Sequence, residues 1–246
     1  MTEAATDADA GADAGEPGQV LPRAIAVDGS AASGKSTVGR RLASTLGYRF
    51  LDTGIMYRAV THAALATGIA VDDASALTSL ANGIQLEISL SSPEKPGDER
   101  IYVNGDDVTD SIRSPEVEAN VSLVSRVAGV RDALVRKQRD IAAQQSIVMA
   151  GRDIGTVVLP NADIKVYLDA SLEERSRRRH EEFSHTGRGA TAAEVMDDIR
   201  RRDQIDIERE ISPLRPADDA IIIQTDGRRV EDILSQVIHL VTAASK

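Results

Sequence analysis

The chain contains no cysteine and no tryptophan. Without thiols it has neither disulfides, nor thiolate metal sites, nor a cysteine nucleophile. Aromatic residues make up only 2% of it, so the stacking platforms on which single-stranded nucleic acids lie are scarce. A net charge of −10 points the same way, and no nucleic-acid partner is expected. No apolar run approaches the roughly 18 residues that cross a bilayer. The first twenty residues also lack the basic-then-apolar order of a secretory signal. These absences predict a cytoplasmic protein with no membrane partner. Ligand-like spacing is missing too from His62, His185 and His239, which removes a histidine metal site.

What is present is unevenly placed. Glu3, Asp7, Asp9, Asp13 and Glu16 occupy a stretch without Lys or Arg, whereas eight arginines fall between Arg175 and Arg202. An acidic chain that gathers arginine in one segment has use for an anion there. Residues 1–21 are rich in Ala, Asp and Gly; with almost nothing to bury, they read as a disordered acidic tail. Residues 22–246 are long enough for one domain with a sizeable core.

Short apolar segments at Ala24–Val27, Tyr48–Leu51, Ile147–Ala150, Ile164–Leu168 and Ala220–Ile223 alternate with helical patterns. That alternation predicts an α/β fold, a parallel sheet with helices on both faces. Ile84, Leu86, Ile88 and Leu90 alternate with polar residues, and Ile101-Tyr-Val103 precedes Asn104-Gly105. A small antiparallel insertion over about 84–108 follows, closed by a hairpin turn. Ser114-Pro115 reads as a helix N-cap, and Ser171/Glu174 and Thr191/Glu194 as reciprocal capping boxes.

The sharpest local signal is Gly29-Ser30-Ala31-Ala32-Ser33-Gly34-Lys35-Ser36-Thr37. It satisfies G-x-x-x-x-G-K-[ST], directly after an apolar strand and directly before a helix with Val38, Leu42 and Leu46 on one stripe. Glycine lets successive backbone N–H groups turn inward toward a phosphate, and the helix adds its positive end. Lys35 is expected at the β- and γ-phosphates of ATP, with the Ser36 hydroxyl on Mg²⁺. A chance match in a glycine turn would lack those flanks. The loop predicts phosphoryl transfer from ATP and leaves the acceptor open.

Two other segments follow buried strands, where open parallel sheets hold their ligands. Asp52-Thr53-Gly54-Ile55-Met56-Tyr57-Arg58 ends in an arginine able to clamp a phosphate or simply to sit in solvent. Ile147-Val-Met-Ala150-Gly151-Arg152-Asp153 brings a cation and an acid to the sheet edge, or is a plain polar turn. Asp28 and Asp153 are both candidates to order water around Mg²⁺. Arg175, Arg177, Arg178 and Arg179 lie on a capped helix, and one or two of them are expected to face the phosphates. Arg202, Asp206 and Arg209 share a helical face, as ligands or as an intrahelical salt-bridge ladder.

Taken in order, Ile25-Ala-Val-Asp-Gly29 with its loop, Leu51-Asp-Thr-Gly-x-x-Tyr57-Arg58, Gly151-Arg-Asp-Ile-Gly-Thr156 and Arg202-Asp-x-x-Asp206 resemble the bacterial cytidylate kinases. The resemblance runs from residue 24 to about 240 and departs from family members that carry serine at the Thr53 position. It implies a three-layer kinase on a five-stranded parallel sheet, acting on CMP and dCMP as a monomer. The implied monophosphate-binding insertion spans about 53–125 and the arginine-rich lid about 170–192. By the same resemblance Thr53, Tyr57 and Arg58 contact the monophosphate; Ser122, Arg131 and Asp153 read cytosine, with Arg152 alongside. Arg202 and Asp206 engage the sugar, Arg209 a phosphate, and Arg175 and Arg178 resemble lid arginines. The competing expectations are a uridylate, adenylate or shikimate kinase, or a regulatory module that binds nucleotide without catalysis.

Overall fold

The computed structural model describes residues 21–185, 187 and 189–244. The tail expected over 1–21 lies, apart from Leu21, outside the described residues, as do positions 186 and 188 of the arginine-rich segment. Five strands form one parallel sheet: β1 (Ala24–Gly29), β2 (Arg49–Asp52), β6 (Ile147–Gly151), β7 (Ile164–Asp169) and β8 (Ile221–Gln224). Their order is β2-β6-β1-β7-β8, the five-stranded parallel core that the sequence predicts. β1 is central because it can be buried on both sides: Ile25, Ala26 and Val27 are fully enclosed.

The period-two alternation of each strand divides the core into two layers. Ile25, Val27, Val148, Ala150 and Val166 face α1 (Lys35–Leu46) and α8 (Val230–Ala244), meeting Val38, Leu42, Ile233 and Val237. Ala26, Leu51, Ile147 and Met149 face the other way, onto α2 (Gly54–Ala66), α3 (Ala74–Gly83), α4 (Pro115–Ser125) and α5 (Ala128–Ala143). α1 ends where predicted, at Gly47, in a left-handed conformation (φ 72°).

The insertion is antiparallel, with β3 (Leu86–Ser89), β4 (Arg100–Val103) and β5 (Asp106–Asp107) in that order. Asn104 and Gly105, both at positive φ (52° and 90°), make the turn between β4 and β5. Helix α6 (Leu172–His185), within the segment predicted as a lid, packs against α7 (Ala192–Glu208), which follows that segment.

Two capping expectations hold: Ser114 accepts from Val117 N–H, and Thr191 with Glu194 forms the full reciprocal box. The third does not. Ser171 Oγ accepts from Glu174 N–H, but Ser171 N–H donates to Asp226 and the Glu174 carboxylate turns to Arg177 and Arg178. Charged donors outcompete a backbone N–H for that carboxylate. No helix among the described residues is long and apolar enough to cross a membrane.

Candidate active site

Strand register decides what meets what. Asp28 of β1 stands opposite Gly151 of β6, and Asp52 of β2 opposite Ala150. The three segments singled out in the sequence therefore leave the sheet at one carboxyl edge, above adjacent strands. A cleft of about 1120 Å³ opens there, lined by the glycine loop, the Thr53–Arg58 turn and the Gly-Arg-Asp segment.

The loop needs its glycines. Gly29 lies at φ 150°, and a Cβ on it would sit 2.3 Å from the Leu168 carbonyl oxygen; Gly34 has φ 96°. Ala32 adopts φ 58°, an arrangement that costs a non-glycine residue of order 1–3 kcal/mol and is typical of a ligand loop. Lys35 reaches back across the loop, its Nζ donating to Ser30 O at 2.6 Å, with Ser33 Oγ at 3.5 Å. Burial, and then the Arg152 charge, pull its pKa well below the usual lysine value. An ammonium short of counter-charge favours an incoming polyphosphate. Ala31 to Thr37 line the cleft.

Asp52 escaped the sequence reading, although it stands in one of the quoted motifs. Its Oδ2 accepts from Ser36 Oγ at 2.5 Å and its Oδ1 from Gly54 N–H at 3.0 Å. A hydroxyl and a carboxylate beside a phosphate loop are the hard oxygen donors that Mg²⁺ takes, so the residues fit that ion. Asp28 and Asp153, the acids considered from sequence, have other partners. Asp28 accepts from Ile154 and Gly155 N–H, each at 2.7 Å, and Asp153 pairs with Arg131.

Asp28 thereby fastens the Gly-Arg-Asp segment to the donor strand. Burial pushes its pKa up to about 6, against the two N–H bonds that lower it. A carboxyl raised in the folded state contributes stability below about pH 4 that is lost as pH rises through about 6. Side-chain carboxyl NMR is expected to show Asp28 titrating near 6; a midpoint near 4 would contradict this environment.

The rest of the cleft is a lattice of arginines and acids. Arg131, only 2% exposed, pairs with Asp153, donates to Ser125 O at 3.1 Å and lies 5.4 Å over the Tyr57 ring. Gly151 is required here, since a Cβ would meet Thr53 Oγ1 at 2.7 Å. Thr53 Oγ1 itself donates to Ala150 O at 3.0 Å. Arg152 Nε donates to Asp206 at 2.9 Å. Ser122 lines the cleft from α4.

An intrahelical ladder does form in α7, but the shortest contacts of Arg202 and Asp206 lie outside it. Arg202 and Asp206 bond across the fold, to Glu118 and Arg152, while the ladder lies on the exposed face, Arg200 with Asp197 and Arg201 with Asp198. Arg209 falls just past the helix end and turns to Ser212 O, with Asp153 and Asp206 each 3.8 Å away.

Of the arginines expected on a lid, Arg178 lines the cleft beside the loop, with Nη1 3.5 Å from Ser33 O, and Arg177 and Arg179 line it as well. Arg175 does not line it. It is buried against Asp203 at 2.5 Å and the Ala170 and Ala31 carbonyls, and so braces the loop from behind. Arg177 pairs with Glu174 and Glu181. Besides Asp52, Asp203 and Glu118 were missed; both sit in or beside strings of charge that read in sequence as ordinary helix surface.

The cytidylate kinase family profile matches residues 25–243. The chain belongs to the cytidylate kinase family. A cytidylate kinase of Geobacillus kaustophilus is 47% identical over 217 residues, covering 88% of this chain and 95% of its own. That of Bacillus licheniformis is 43% identical with the same coverage. As a member of this family the chain is a phosphotransferase that phosphorylates CMP and dCMP with ATP.

Proposed function

We propose that the cytidylate kinase reaction runs here by direct in-line transfer, with the donor held by Gly29–Thr37 and the acceptor by the arginine and acid lattice facing it. One observation supports this division: the hydrogen-bonded neighbours β1 and β6 deliver the phosphate loop and the Gly151-Arg152-Asp153 segment to one cleft. The acceptor phosphate is ionised near neutral pH, so positioning and charge carry the reaction and no covalent enzyme intermediate is needed.

On the donor side, the loop N–H groups and Lys35 grip the ATP phosphates, and Arg178 reaches the same loop from the lid. Ser36 and Asp52 would hold Mg²⁺, which when bound offsets the charge of the phosphate oxygens. On the acceptor side, Arg58 and Arg209 take the monophosphate together with Tyr57 and Thr53. Arg58 is suited to this: burial, then the neighbouring Arg179 charge, push its pKa down to about 10, so it stays cationic and gains from an anion. Arg202 and Asp206 take the sugar, with Arg152 oriented by Asp206.

Ser122, Arg131 and Asp153 read the base. A carboxylate accepts from the N4 amino group of cytosine, where uracil presents a carbonyl. Arg131 holds that carboxylate in place. A coupled assay across CMP, dCMP, UMP and AMP is expected to give ADP release chiefly with the two cytidine nucleotides. Preferential turnover of UMP or AMP would overturn the acceptor assignment, and ATP binding with no monophosphate-stimulated ADP release would overturn catalysis.

A further inference from the structure

Glu118 has no part in the reaction as just described, yet it lines the cleft proposed for the acceptor. It lies in the first turn of α4 and is 8% exposed. Its Oε1 accepts from Arg202 Nη1 at 3.0 Å, from Arg58 Nη2 at 3.4 Å, and from Arg179 Nη2. These arginines come from α7, α2 and α6, and each lines the same cleft. Three guanidinium groups from three elements thus converge on one oxygen atom.

A single carboxylate oxygen is a poor match for three planar forks, whereas a phosphate monoester offers three oxygens and nearly two charges. Glu118 is also placed where it can give way. Arg179 keeps Glu182 at 2.8 Å and the Phe183 ring at 4.7 Å, and Arg202 has Asp198 at 3.9 Å. Arg58 Nη1 lies 3.5 Å from Ile112 O, so each of the three arginines has a contact besides this oxygen that preserves its direction.

We propose that Glu118 is a positioning residue that stands in for the phosphate end of CMP, gathering Arg58 of the phosphate site, Arg202 of the adjoining sugar site and the lid residue Arg179 in the free enzyme and yielding them to CMP. This rests on the acceptor reading above. The stand-in costs affinity, because the incoming phosphate must displace it. In return, three mutually repelling cations stay assembled between turnovers, and free anions of low charge are kept out. Since Arg179 belongs to α6 and Glu118 to α4, the same contact ties the lid segment to the acceptor side.

The test is steady-state kinetics of full-length Glu118→Gln, which keeps the shape and one acceptor oxygen but removes the charge. The expected result is a KM for CMP roughly fivefold to tenfold lower, with inorganic phosphate inhibiting at correspondingly lower concentration. A merely structural role predicts the opposite, a raised KM with a lowered melting temperature. Should Glu118→Gln melt too early to assay, Glu118→Asp, drawn back by one methylene, shifts both quantities the same way to a smaller degree. Unchanged or raised KM and unchanged phosphate inhibition overturn the stand-in. Arg58→Ala separates the two layers: a raised KM for CMP keeps the acceptor reading whatever Glu118 does, and an unchanged one removes both.

Discussion

Lys35→Ala is expected to lower kcat by about 10²–10³, the loss that follows removal of one preorganised charged or polar partner of a developing oxyanion. Lys35 is the buried cation of the donor loop, and its Nζ spans the loop through Ser30 O and Ser33 Oγ. Phosphoryl transfer spreads negative charge over the equatorial oxygens, and a cation already held in a dry site meets that charge without reorganisation. The fold should tolerate the change. The ammonium is itself disfavoured by burial and by Arg152, so removing it relieves one penalty while losing a short hydrogen bond. Steady-state kcat at saturating CMP and ATP, read beside a thermal melt, decides the matter. A kcat within threefold of the parent with an unaltered melt would falsify the role of Lys35.

Asp153→Asn is expected to reduce the preference for CMP over UMP, measured as the ratio of kcat/KM values, by roughly tenfold to a hundredfold. That is the range a good base-edge hydrogen-bond pair contributes, about 1–3 kcal/mol. An asparagine amide can present its oxygen to the cytosine amino group or its nitrogen to the uracil carbonyl, so discrimination relaxes rather than vanishing. The substitution also unbalances Arg131, which is 2% exposed and would keep only Ser125 O at 3.1 Å and the amide oxygen as acceptors. Breaking a buried ion pair from one side costs about 3–5 kcal/mol; the retained amide oxygen should hold the loss below that. An unchanged CMP-to-UMP ratio in a folded variant would remove Asp153 from base reading. A ratio that falls together with a modest drop in melting temperature is the expected signature.

Much of the donor half was legible because its chemistry is local. Gly29, Gly34, Lys35 and Ser36 are consecutive or nearly so, and the strand before and helix after them are set by short apolar periodicities. The same holds for the Asn104-Gly105 turn, whose positive φ angles those residue types adopt with little strain. Strand ends moved by only one or two residues, as at Ile221–Gln224 against the predicted Ala220–Ile223. Where a contact was local but in competition, as at Ser171 and Glu174, pattern alone misassigned it, because Arg177 and Arg178 are also within reach of that carboxylate.

The acceptor half is different in kind. Arg131 meets Asp153 across 22 residues, Arg152 meets Asp206 across 54 and Arg202 meets Glu118 across 84. Charge spacing along one helix carries no record of such partners, so the Arg202, Asp206 and Arg209 set could equally have been a surface ladder. Arg175 shows the converse: it shares a helix with cleft-lining Arg178, yet the rotation of α6 turns it behind the loop toward Asp203. By itself the sequence determined the phosphate loop, the alternation of strands and helices, and the segments that leave the sheet, since each depends on neighbours within one turn or one strand. Only the tertiary structure decided which acid stands beside Ser36, which arginines face the cleft and which carboxylate they share. Those choices are made by parallel strand register and helix packing, interactions between parts of the chain that sequence spacing does not bring together.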